Sequence, residues 1–230
     1  MVTPQMPTET LRPRMAQMLQ NRCFLLFWAL LILLVALPFL SETDHGRGLL
    51  GLFNVIVLVT AVAAVERSKL SLVVALLLGL PTLAFLILAL ESDLPKYLAL
   101  SWGFNAAFYT FTLAHLLHYV LRRDVMTGDK LYGAVAAYLM IAILWAFLHG
   151  LLQYFHPGAY ALHGTPQTLD LAGLIFFSFT AITTAGFGDI TPALIQSRFL
   201  TIFEMVTGVM YVAILIARLT GVYPVVEKKP

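Results

Sequence analysis

Six runs of this chain, residues 23–40, 48–65, 70–90, 97–121, 131–155 and 199–217, carry no Asp, Glu, Lys or Arg except Glu204. A helix needs roughly 20 such residues to cross the hydrocarbon core of a bilayer. Backbone groups left bare in lipid each cost several kcal/mol, so a run of this kind must be helical. The whole chain is 60% hydrophobic and only 11% charged, which excludes an ordinary soluble domain. The expectation is an all-α membrane protein with six transmembrane helices.

Charge between the runs gives an orientation. An even number of crossings puts both termini on one side, which gathers Arg12, Arg14, Arg22, Arg67, Lys69, Arg122, Arg123, Lys130, Arg218, Lys228 and Lys229 there. Only Arg47, Lys96 and Arg198 fall opposite. The basic side is expected to be cytoplasmic, in a multi-pass protein of a bacterial-type inner membrane. The net charge of +2 then reports topology. No basic stripe follows a phosphate backbone, so a nucleic-acid partner is not expected. Arg12, Arg14 and Arg22 before the first run imitate a secretory signal, but residues 37–40 offer no small-residue cleavage site, and the run reads as retained. Cys23, the single cysteine, excludes an intrachain disulfide and a cysteine zinc cluster and reads as packing.

The chain divides into a polar N-terminal segment (1–21), a four-helix peripheral domain (22–121), a charged linker (122–130), a second domain (131–222) and a short tail (223–230). With few residues after Gly221, a fused regulatory domain is not expected. In the linker, Gly128 is placed to end one helix and Asp129 to cap the next. Pro81 removes a backbone donor inside the third run and should kink it. About 40 residues separate the last two runs, too many for a simple hairpin. There, 156–170 reads as loop. Residues 171–184 read as a helix too short to cross, and 185–189 must return in non-helical form.

The returning string is Thr184-Ala185-Gly186-Phe187-Gly188-Asp189. Its main polar resource is carbonyl oxygen, and the two glycines permit unusual φ angles that aim carbonyls together. The C-terminal end of a short helix aimed at the same place adds partial negative charge. Neutral oxygen ligands suit a weakly hydrated monovalent cation, whereas a divalent ion recruits carboxylates.

"FFSFTAITTAGFGDITP" and the run after it resemble the pore region of potassium channels. The resemblance implies a pore helix (171–184), a selectivity filter (184–188) and an inner helix (198–222) between a fifth and a sixth span. It implies K+ sites at Thr184, Ala185, Gly186 and Phe187, with Gly188 completing the filter and Asp189 shaping the outer mouth. It further implies a homotetramer around the ion, a gating hinge at Gly208, and Val212, Ile216 and Thr220 lining an inner cavity. Ala185 and Phe187 stand where the family has valine and tyrosine, and Phe177 stands at the pore-helix aromatic position that partners the tyrosine. The expected function is passive K+ conduction across the lipid bilayer, with no cofactor beyond the permeant ion. The alternative is a non-selective monovalent cation pore.

Glu204 reads as a structural hydrogen bond behind the pore helix, with protonation-linked gating as the sharper alternative. His115 and His118 lack a third metal ligand and read as helix contacts. His149, His156 and His163 fall around the outer mouth, where external pH could act on them. Residues 97–121 hold no Lys or Arg, so no voltage sensing is expected of them. No cluster of acids, bases or nucleophiles marks an enzyme.

Overall fold

The computed structural model describes residues 22–41, 54–61, 69–92, 94–122 and 127–222. The elements are α1 (Arg22–Ser41), α2 (Lys69–Glu91), α3 (Pro95–Leu121), α4 (Gly128–Phe155), β1 (Tyr160–Leu162), β2 (Thr165–Pro166), α5 (Leu171–Ile182), β3 (Ile190–Pro192) and α6 (Ile195–Val222). Residues 54–61 are also helical. The expected terminal segments, 1–21 and 223–230, lie outside the described residues.

Among the described residues three helices, not six, are long and apolar enough to cross a membrane: Cys23–Leu40, Gly128–Phe155 and Ile195–Thr220. The expected six-span architecture, with a pore helix and filter between a fifth and a sixth span, is corrected accordingly. The short helix and the string after it lie between the second and third of three spans. The error was to equate absence of charge with hydrophobicity. Ser101, Asn105, Thr110, Thr112, His115 and His118 dilute α3, although no Asp, Glu, Lys or Arg interrupts it from Tyr97 onward. Of the run 48–65, only 54–61 is described. The expectation of both termini on one side rested on the even count alone.

The central helix is α4, which packs against α1, α3, α5 and α6. Small residues make this possible, because without Cβ branching helix backbones approach closely. A Cβ on Gly150 would lie 2.7 Å from the Trp102 ring of α3, and one on Gly133 would lie 3.1 Å from Cys23 Sγ of α1. Cys23 is therefore packing material, 1% exposed. Asp129 does not cap its own helix. Thr127 does that, accepting from Lys130 N at 3.3 Å, while Asp129 Oδ1 accepts the backbone N–H of Cys23 at 3.0 Å. Its other oxygen accepts from the Tyr119 hydroxyl at 3.1 Å, so one carboxylate joins α1, α3 and α4. Helix α2 continues through Pro81. The polar groups that dilute α3 are used inside the protein: Asn54 Nδ2 donates to Asn105 Oδ1 at 2.7 Å, and the Tyr109 hydroxyl donates to Asn54 Oδ1 at 3.2 Å.

Residues 156–170 are not simply loop. They hold β1 and β2, an antiparallel hairpin turning through His163 (φ 49°) and Gly164 (φ 81°). A two-residue turn with both φ positive matches the twist of paired strands. Strand β3 joins the other edge of β1, with Tyr160 opposite Pro192, Ala161 opposite Thr191 and Leu162 opposite Ile190. The sheet order β2-β1-β3 lets the hairpin hold the segment that leaves Asp189.

Candidate functional site

Hydrogen bonds fix how far α5 runs down between α4 and α6. At its start, Gln153 near the end of α4 clamps Leu169, its Nε2 donating to the carbonyl at 2.8 Å and its Oε1 accepting the N–H at 3.0 Å. The Asp170 carboxylate caps the helix by accepting from Gly173 N at 2.8 Å. Further along, the Ser178 hydroxyl meets the Ala142 carbonyl at 2.6 Å. At the end, the Ile182 carbonyl accepts from the Tyr138 hydroxyl at 3.4 Å and abuts Gly208. Contacts therefore step backward along α4, from 153 to 142 to 138, as α5 advances. The 12-residue helix covers roughly 18 Å at 1.5 Å per residue and stops midway along its two long neighbours.

From that depth the chain must climb back to β3. The seven residues 183–189 can span at most roughly 25 Å when extended, enough to return over the roughly 18 Å that α5 covers without a further helical turn. Helix α5 ends at Ile182, and the backbone is left-handed at Thr184 (φ 59°), Gly186 (φ 53°) and Gly188 (φ 85°). Glycine adopts this freely, whereas a β-branched threonine does not. Two N–H groups are tied back to α5: Thr184 N donates to Ala181 O at 2.9 Å and Gly186 N to Thr180 O at 3.1 Å. At the far end, His163 N donates to Asp189 O at 2.8 Å, so the hairpin turn grips the residue after Gly188. Among the described residues no donor reaches the carbonyls of Thr184, Ala185, Gly186, Phe187 or Gly188. All five residues are exposed and Asp189 is half-buried.

Phe187 is 74% exposed and its ring stacks on Phe176, centroids 5.9 Å apart. The partner anticipated for this position, Phe177, lies elsewhere. It is buried against His149 and Tyr160, at 5.1 Å and 5.3 Å between centroids.

Gly208 lies where α6 passes closest to α5. A Cβ there would lie 2.3 Å from the Ile182 carbonyl oxygen, and α6 runs unbroken through it. The close approach leaves no room for a side chain at this position. Farther along α6, Val212, Ile216 and Thr220 are exposed in the single chain, and the Thr220 hydroxyl is turned back to the Ile216 and Ala217 carbonyls.

Glu204 is fully buried, one of four polar side chains that join four elements. The Tyr160 hydroxyl of β1 lies 2.5 Å from His149 Nδ1 of α4, and His149 Nε2 lies 2.8 Å from Glu204 Oε2. Glu204 Oε1 bonds the Ser178 hydroxyl of α5. Burial pushes the Tyr160 hydroxyl above its usual range, which keeps it a donor. The three histidines expected at the outer mouth are not an exposed group: His149 is buried, His156 half-buried and His163 exposed. An acid in an apolar run demanded buried partners, but nothing in the spacing of residues 149, 160 and 178 named them. His115 Nδ1 contacts the Phe111 carbonyl of its own helix at 2.9 Å. Among the described residues no three His, Cys, Asp or Glu side chains gather as a metal site.

Residues 134–223 match the family described as ion channel. The voltage-gated potassium channel Kch of Escherichia coli (strain K12) is 29% identical over 163 residues, which cover 70% of this chain and 34% of that protein. The aligned segment thus spans about a third of the length of that relative. No solved structure matches. Both matches are to channels and neither is to an enzyme. The chain is accordingly an ion-channel-like, multi-pass membrane protein, similar over part of its length to a potassium channel.

Proposed function

We propose that the protein conducts K+ passively through a homotetrameric pore whose narrowest part is the segment Thr184–Gly188. One observation carries the reading: five consecutive exposed residues whose carbonyls accept no hydrogen bond from any described residue, held at mid-depth between two spanning helices. Bare carbonyls at that depth persist only where they line water or ligate an ion. A single row of oxygens cannot surround an ion, and one chain offers one row, so several copies about an axis are required.

The ion sites in this proposal are the oxygens of Thr184, Ala185, Gly186 and Phe187, with Gly188 and Asp189 forming the mouth. Val212, Ile216 and Thr220 face the cavity beneath, and opening would require α6 to move away from α5 near Gly208. The copies would meet on α6, where only 17% of the spanning window is buried within one chain. Arg122, Lys130 and Arg218 share one end of the bundle, Arg218 donating to the Arg122 carbonyl, and that end is assigned to the cytoplasm. Residues 22–121 act as a peripheral domain, joined through 122–130 to a pore domain over 131–222. Without a Lys or Arg within α3 after Lys96, little voltage sensing is expected from that helix.

Purified protein in liposomes, with K+ and Na+ gradients compared, tests the proposal. K+ flux lost in Gly186→Ala supports it. Equal permeation of both ions indicates the non-selective pore, and absence of flux from a folded tetramer overturns conduction altogether.

A further inference from the structure

Tyr160, His149, Glu204 and Ser178 are each at 0% exposure and come from β1, α4, α6 and α5. They form one continuous chain of contacts ending on the Ala142 carbonyl. Counting protons along it decides its charge. The Ser178 hydroxyl owns one proton but touches two oxygens, Glu204 Oε1 and the Ala142 carbonyl at 2.6 Å. If Glu204 is ionised, one of those two contacts has no proton between its oxygens. A doubly protonated His149 would then spend its Nδ1–H on the tyrosine oxygen, and the tyrosine proton would have no acceptor in the chain.

The neutral filling leaves nothing over. Tyr160 O–H donates to His149 Nδ1, and His149 Nε2–H donates to Glu204 Oε2. A proton on Glu204 Oε1 is given to Ser178 Oγ, and Ser178 O–H goes to the Ala142 carbonyl. Four protons serve four acceptors in one direction. Among the described residues no Lys or Arg acts on Glu204, and an isolated buried ion pair carries a desolvation penalty that the neutral filling avoids. The other titratable groups acting across the site are the tyrosines Tyr138 and Tyr160.

We propose that Glu204 is protonated in the folded protein and that Tyr160, His149, Glu204 and Ser178 form a net-neutral, one-directional hydrogen-bond chain that positions α5 against α4 and α6. Glu204 is thus a positioning residue: Ser178 lies six residues before Thr184, and holding it holds the start of the return segment. Its importance for conduction rests on the proposed function, whereas its protonation does not.

Infrared difference spectra of wild type against Glu204→Gln, in H2O and D2O at neutral pH, read the proton directly. The expected result is a carbonyl stretch of a protonated, buried carboxylic acid in wild type that is absent from the variant. Gln supplies the same donor and acceptor as a protonated Glu, so Glu204→Gln should melt with the parent, while Glu204→Ala and His149→Ala melt lower. No such band, or a Glu204→Gln protein that misfolds or melts as low as Glu204→Ala, overturns the proposal. A band and melting pattern as expected, in a protein without flux, would instead refute the conduction reading alone.

Discussion

Thr184 is the residue whose local chemistry most disagrees with its conformation. A threonine at φ 59° carries strain of roughly 1–2 kcal/mol that glycine would not, and it persists because the Ala181 and Thr180 carbonyls tie the backbone on either side. Thr184→Gly should relieve that strain and return roughly 0.5–1 kcal/mol to the unfolded chain's entropy. The fold should be as stable as the parent's or more so in denaturant titration of the detergent-solubilised protein. K+ over Na+ discrimination should fall, and Thr184→Ala, which keeps the strain and loses the hydroxyl, separates the two contributions. Gly208→Ala should act in the opposite way. Its Cβ would need the space of the Ile182 carbonyl, and overpacking of this kind costs about 1–3 kcal/mol. Lower thermal stability together with lost flux is expected, while impaired opening with unchanged stability would point to a hinge alone. At this scale the sequence was informative where glycine stood and silent where it did not. Gly186 and Gly188 announced their backbone angles, but nothing in a threonine marks a positive φ.

Among the elements, α5 depends on a clamp that no residue within it supplies. Gln153 satisfies both backbone groups of Leu169, and all of it is buried. Gln153→Ala would leave a buried N–H and a buried C=O without partners, each costing about 1–3 kcal/mol. A clear loss of stability is expected, with α5 amides near its start exchanging hydrogen faster. The short helix between two long ones was legible from length and composition alone. The hairpin beside it was not, because strands of two and three residues are too brief to show alternation, and His163-Gly164 is a weak turn signal beside Asn-Gly. Asp129 was misread for a related reason. A carboxylate near a helix start fits the capping pattern of its own helix, whereas packing carries it to the Cys23 N–H at the start of α1.

For the whole molecule, α4 is a core helix and α6 is not, with 56% and 17% of their spanning windows buried. Phe199, Phe203, Val206 and Met210 lie exposed along α6. In the proposed tetramer these side chains meet neighbouring copies, so Phe203→Asp should shift the protein from tetramer to smaller species in native mass spectrometry. A tetramer unaffected by it would move the subunit contact elsewhere. Steeply voltage-activated current abolished by substitutions in α3 would likewise contradict a helix without basic residues in its apolar run. The number of crossings was the least legible property. Runs free of charge were easily counted, yet α3 spends its serine, asparagine and tyrosine on contacts inside the protein, so its average polarity fell outside that of a span.

The return segment is a tether, fastened at one end to the α5 backbone and at the other to the hairpin. Such a tether converts length into force. Removing one residue from 183–189 would pull the α5 end and β3 toward each other, and adding one would change which carbonyls stand side by side. Substitutions that preserve length should therefore be tolerated far better than any single insertion or deletion, whatever the residue.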